Sequence, residues 1–278
     1  MNTTRALRDV GRRYSLGGPW VLRGVDLDLP EGALVRIEGA NGTGKSTLLR
    51  LVAGIDAPTE GRVTGHPRTA YVPERFPGAL PFTAAGYLAH LGRVHGLDRR
   101  TAKERAGRWL ERFGAAPYAT TPLAQLSKGT SQKVAVAQAL LAEPALLVLD
   151  EAWTGLDTGA RAELERAVRG RVAAGATVVL VDHDPRRLAD REDARYALEG
   201  ASLRPVPVAR TGPRAPAASV LIDIVGTGPL PQLPYAAQEL RSGDGASTLR
   251  VPAERSDDVL RALLAARPPW HIQGVRRT

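Results

Sequence analysis

The chain has 278 residues, 43% of them hydrophobic, which is ample for a packed core and excludes a disordered polymer. It contains no cysteine, so disulfides, iron–sulfur clusters and thiolate zinc sites are excluded, and its five histidines show no metal-ligand spacing. The net charge of +9 is almost wholly arginine, with only Lys45, Lys103, Lys128 and Lys133 as lysines; the arginines are scattered without an aromatic-interleaved basic run, and no nucleic-acid partner is expected.

Residues 3–10 read as a first strand. After a turn-rich loop, the alternation of Val25, Leu27 and Leu29 reads as a second. Tyr14 stands just before this β region; its ring can stack on a base, and alone it reads equally well as a packed tyrosine. Leu34 to Glu38 is a third β-prone stretch. It runs into Gly39-Ala40-Asn41-Gly42-Thr43-Gly44-Lys45-Ser46-Thr47, which is a glycine, four free positions, then Gly-Lys-Ser. Leu48 to Ala53 continue as a helix that Gly54 can close. Strand, glycine loop and helix form the setting in which converging N–H groups and a helix dipole bind phosphate. There Lys45 supplies a point charge to the β- and γ-phosphates, and the Ser46 hydroxyl can ligate Mg²⁺.

Gly61 to His66 is read as a short hairpin arm, and Ala70 to Pro73 as a strand running into Glu74. Thr83 looks like the N-cap of a helix through Val94, and a second helix covers about Thr101 to Phe113. Together these predict an inserted helical subdomain over about residues 78–135. Next, Leu126 to Lys133 leads into a helix from Gln132 to Ala142. Ser127 and Gly129 at its head can bind an anion; alone, such a start is simply a good N-cap.

Ala145 to Leu149 is a continuous apolar run, hence a buried parallel strand, with Asp150 and Glu151 at its C-terminal edge. Ligands of open α/β sheets bind beyond such edges. Asp150 can hold the Mg²⁺ that Ser46 also touches, and Glu151 can polarise a water for attack on the γ-phosphate; without the upstream loop the two acids would merely cap a strand. A helix from about Thr158 to Ala174 follows. The buried strand Thr177 to Val181 then ends at Asp182-His183-Asp184. His183 can reach the same crevice, although alone it would be an ordinary surface histidine.

In this order the segments resemble the nucleotide-binding subunit of ATP-binding cassette (ABC) transporters, over about residues 4–204. Tyr14 looks like the adenine-stacking aromatic. Gly39, Asn41, Gly42, Gly44, Lys45, Ser46 and Thr47 look like Walker A, and Leu126 to Gln132 like the family signature L-S-G-G-Q-x-Q. Asp150 and Glu151 look like Walker B and its catalytic carboxylate, Gly155-Leu156-Asp157 like the D-loop, and His183 like the switch histidine. The resemblance implies a P-loop NTPase fold with an antiparallel β subdomain and a helical insert. It implies catalytic roles for Glu151, His183 and Lys45, and Mg²⁺ held near Ser46, Asp150 and Glu74.

It also implies a homodimer, or a pair with a related subunit, in which two ATP molecules lie between Walker A of one copy and Ser127/Gly129 of the other. Transmembrane segments are expected on a separate permease chain, with this subunit at the cytoplasmic face of the membrane; no run of eighteen apolar residues and no N-terminal signal core are seen. Three departures stand out. Glu74 replaces the usual glutamine, Lys128 and Thr130 replace Gly and Gln, and Lys45 and Glu74 are only 74 − 45 = 29 positions apart. The first and last resemble ABC-2 type exporters. The alternative is a soluble ABC ATPase acting on nucleic acid or ribosomes.

The stretch 205–217, rich in Pro, Arg and Ala, reads as a linker. Residues 218–278 read as a small α+β appendage of β-α-β type, with strands at 219–225, 246–251 and 270–275 and a helix over about 256–266.

Overall fold

Strand β1 (Thr3–Arg12) pairs antiparallel with β2 (Leu22–Pro30). The chain then leaves this ribbon through β3 (Leu34–Glu38) and α1 (Lys45–Ala53), and returns as β4 (Glu60–Thr64) to pair with β1. The result is a three-stranded antiparallel sheet of order β2-β1-β4. The computed structural model describes residues 3–74, 76, 80–208, 219–226, 230, 238–243, 246–252, 256–266, 268 and 270–277. The chain packs as two compact units, Met1–Thr211 and Gly212–Thr278. Among the described residues no helix is long and apolar enough to cross a membrane.

After β5 (Thr69–Val72) come three helices, α2 (Ala84–Val94), α3 (Arg99–Arg112) and α4 (Lys128–Leu141). Then β6 (Leu146–Asp150), α5 (Thr158–Ala173), β7 (Thr177–Val181), β8 (Ala194–Glu199) and β9 (Ser202–Val206) complete the first unit. Its second sheet has the order β5-β6-β7-β3-β8-β9. The pairs are parallel except β8 with β9. This is the expected α/β fold: a parallel sheet with the glycine loop between β3 and α1, an antiparallel β subdomain and inserted helices.

The apolar strands serve two cores because successive side chains face opposite ways. Leu147, Leu149, Val178 and Leu180 join the helical side with α2 to α5. Their neighbours Leu146, Val148, Val179 and Val181 pack with α1 and the antiparallel sheet, on Leu48, Leu49, Leu51, Val52, Leu7 and Leu27. Helix α1 is thus clamped between two sheets, which fixes the loop at its head.

Two helix starts differ from the sequence reading, and caps explain both. Asp98 accepts from the amides of Arg100 and Thr101, so α3 begins at Arg99 rather than Thr101. Ser127 accepts from the Thr130 amide, so α4 begins at Lys128 rather than Gln132, and the signature residues form its first turn. Strands β8 and β9 have no counterpart in the sequence reading. β9 carries the chain to Val206, two residues into the stretch read as linker; residues 209–217 of that stretch lie outside the described residues.

In the second unit, β10 (Ser219–Val225), β11 (Gln238–Gly243), β12 (Ala246–Pro252), α6 (Ser256–Ala265) and β13 (His271–Arg277) form a sheet of order β11-β12-β10-β13. β12 and β13 are both antiparallel to β10 and flank it, so β12-α6-β13 is a split β-α-β unit. β11 is an added strand that the sequence reading lacked. Ile222, Ile224, Leu249, Val251, Val259, Leu263 and Trp270 make a separate small core.

Candidate functional site

Gly44 caps α1 in the left-handed region, φ 100°, where a Cβ would also meet Val21 Cγ1 at 2.8 Å; both demand glycine. No side chain caps this helix and no acid stands in its first turn, so its N–H groups and positive dipole end face the loop. Lys45 Nζ donates to the carbonyls of Gly39 (2.9 Å) and Ala40 (2.8 Å), which draws the ammonium into the loop. A cleft of about 410 Å³ opens there. It is lined by Asn41, Gly42, Gly44, Lys45, Ser46 and Thr47 from the loop, Val21 from the ribbon, and Glu74, Glu151 and His183 from the strand ends.

Asp150 lies beneath the cleft, 2% exposed, and accepts from the Tyr71 hydroxyl at 2.9 Å. Burial pushes its carboxyl above the usual range; the Ser46 and Tyr71 hydroxyls pull it back, Glu74 pushes it up and Lys45 pulls it down. The same burial, reinforced by Asp150, raises the Tyr71 phenol. Glu151 follows with φ 50°, a left-handed conformation that costs a non-glycine residue energy. Its Oε1 is 2.9 Å from His183 Nε2.

ATP and Mg²⁺ fit this arrangement. An uncapped helix head with an inward lysine suits a polyphosphate. A buried carboxylate beside a hydroxyl and two further acids suits a hard cation. Among the described residues no group of three His or acid side chains forms a metal site by itself.

The structure brings Asn41, Gly42, Gly44, Lys45, Ser46, Thr47, Glu74, Glu151 and His183 to one cleft. Gly39 lies behind it, with its carbonyl on Lys45. Tyr14 is not a lining residue. Its hydroxyl is 2.9 Å from Thr47 Oγ1 and accepts from Arg50, and the Arg12 guanidinium lies 4.9 Å from its ring centroid. Ser127 and Gly129 do not line the cleft either: Ser127 caps α4, and Gly129 packs on Gly155. Sequence reasoning missed Tyr71 and Val21. Tyr71 is separated from its partner by 79 positions, and only strand pairing between β5 and β6 brings it there.

The family model "ABC transporter" matches residues 22–154. A zinc import ATP-binding protein of Cereibacter sphaeroides is 42% identical over 59% of this chain and 67% of its own length. An aliphatic sulfonates import ATP-binding protein of Mesorhizobium japonicum is 38% identical over 80% of this chain and 86% of its own. A daunorubicin resistance ATP-binding protein of Streptomyces coeruleorubidus is 37% identical over 65% and 61%. A solved ATP-binding subunit of an ABC transporter superposes with a TM-score of 0.66 at 26% identity, covering 72% of this chain and 88% of that one. The chain therefore belongs to the ABC transporter family, as an ATP-binding and ATP-hydrolysing subunit of a membrane transporter that uses ATP with Mg²⁺.

Proposed function

We propose that the chain works at the cytoplasmic face of a membrane as one of a head-to-tail pair of cassettes, coupled to a permease on a separate chain and running in the export direction. One observation carries the pairing: Lys45, Ser46, Glu151 and His183 share a cleft, whereas Ser127 and Gly129, the other half of the family's site, lie outside it. A second copy supplies that half.

In this reading the loop amides and Lys45 bind the β- and γ-phosphates, while Ser46 and Asp150, with Glu74 nearby, hold Mg²⁺. The ion supplies charge neutralisation of the phosphates when bound. Glu151 takes the proton of the attacking water, and His183, which lines the same cleft 2.9 Å from Glu151, bonds a phosphate oxygen; their shared position supports this reading. Catalysis is then mainly positioning and charge stabilisation.

Export is supported by Glu74 in place of glutamine, by the short arm before it, and by the similarity to the daunorubicin resistance protein. The two relatives named for import weigh the other way, so direction needs its own test. In proteoliposomes with the cassettes outside, ATP should drive substrate into the lumen; ATP-driven release from the lumen would reverse the assignment. Lys45→Ala should lose nucleotide binding and transport together, and an unchanged nucleotide affinity would count against the loop reading.

A further inference from the structure

Two loops reach the cleft rim. One follows β6 and starts at Glu151; the other follows β7 and carries His183. Arg187 touches both from outside the cleft. Its side chain is 11% exposed. Its guanidinium is 2.9 Å from Glu165 Oε1 on α5, 3.0 Å from Asp182 Oδ2 and 3.5 Å from Asp184 Oδ2. It also lies 5.2 Å from the ring centroid of buried Trp153, two residues after Glu151. Asp182 and Asp184 bracket His183. The Arg187 carbonyl accepts from buried Arg36 of β3, which anchors the far end of the loop to the sheet.

We propose that Arg187 is a positioning residue for ATP hydrolysis: it holds the His183 loop against the Trp153 segment and so keeps His183 in register with Glu151. This rests on the roles given to those two residues above. One planar guanidinium hydrogen-bonds Glu165, lies within ion-pair distance of Asp182 and Asp184 and sits over an indole at once, a combination that an ammonium on a flexible stem reproduces poorly. Without the guanidinium, Asp182, whose side chain is 7% exposed, loses its one ion-pair partner among the described residues, and Asp184 keeps only Arg186, at 3.7 Å. A buried carboxylate left without its cation draws toward water, which loosens the turn that Asp182 Oδ1 closes with the Asp184 amide and that aims His183. Glu151 is already in a strained backbone conformation, so its setting depends on the packing around it.

The test is a double-mutant cycle on steady-state ATPase rates, with nucleotide affinity measured separately using a fluorescent ATP analogue. Arg187→Met should lower kcat by about 10- to 100-fold while nucleotide affinity stays at the wild-type value. In a His183→Ala background the same change should add little, because its effect passes through His183. Arg187→Lys, which keeps the charge and loses the stack, should fall between. If Arg187→Met fails to bind nucleotide, the same cycle run with Arg187→Lys decides. Equal losses in both backgrounds would overturn the proposal, as would a wild-type kcat in Arg187→Met beside a slow His183→Ala. A wild-type kcat in His183→Ala itself would overturn the underlying site reading, and this proposal with it.

Discussion

Gly129 stands so close to Gly155 that a Cβ on Gly129 would meet the Gly155 carbonyl oxygen at 2.8 Å. At this point the head of α4 meets the loop behind Glu151 backbone to backbone. Two side-chain contacts run beside it. Gln132 Nε2 donates to the Ala152 carbonyl at 3.2 Å, and Lys133 Nζ is 2.6 Å from Asp157 Oδ2. The turn that Ser127 caps is thus built against the segment that follows Glu151, and the two should move as one piece.

Gly129→Ala tests that contact. In a free helix, alanine would be favoured over glycine by about 1 kcal/mol. Here the added methyl meets a carbonyl that cannot swing aside as a side chain does. We expect kcat to fall by at least about tenfold, with nucleotide affinity of the isolated chain kept. A wild-type kcat would show that the contact opens without consequence.

Glu151→Gln keeps the size of the side chain and its 2.9 Å approach to His183 while removing the base. Hydrolysis should nearly vanish, and an ATP-dependent dimer should accumulate on size exclusion. Hydrolysis at the wild-type rate would disprove the assignment of Glu151 as base. A dead enzyme that stays monomeric with ATP would instead count against the two-copy site.

The Lys133–Asp157 pair makes a pH prediction. The Asp157 carboxyl is held below its usual value of 3.8, first by the Lys133 hydrogen bond and next by the Ala160 amide. A depressed folded pKa gives stability that is present above the unfolded value and lost as pH falls through the folded one. Asp157 is exposed, so the contribution is small. Lys133→Met should therefore lower Tm slightly at neutral pH, and the gap should close in acid, once the pH has fallen below the usual carboxylate value and through the depressed Asp157 one. A gap that persists in acid would assign the effect to packing of the lysine stem.

How much of this was legible in the sequence depended on distance along the chain. The phosphate loop is a contiguous pattern, and the α1 boundary followed from Gly54 in its left-handed C-cap. β6 and β7 announced themselves because burial on both faces demands an unbroken apolar run. The head of α4 was misplaced because Gly129 and Thr130 carry weak helix propensity, which the Ser127 cap overrides. β8 buries only Leu198 and β11 is polar throughout most of its length, so neither shows a period; strand pairing holds them. Tyr71 on Asp150, Arg187 on Trp153 and Arg36 on Glu192 join residues remote in sequence, and no local pattern marks them.

The Arg36–Glu192 pair is the deepest of these, with side chains 1% and 0% exposed. It stitches the central strand β3 to the segment that enters β8. Glu192 also holds Arg195 at 2.7 Å, whereas Arg36 has no second carboxylate among the ion pairs of the described residues. The two halves of the pair should therefore respond unequally. Glu192→Gln leaves the buried Arg36 charge without a carboxylate, with only the Asp182, Asp184 and Arg187 carbonyls and a neutral amide around it, and should cost about 3–5 kcal/mol in urea denaturation. Arg36→Met leaves Glu192 with Arg195 and should cost less. Arg36→Met combined with Glu192→Leu removes both buried charges and frees the partly exposed Arg195 to turn to water, so it should recover most of the loss. If the double variant were no more stable than Glu192→Gln alone, the pair would be holding β3 and β8 together by geometry that apolar packing cannot replace.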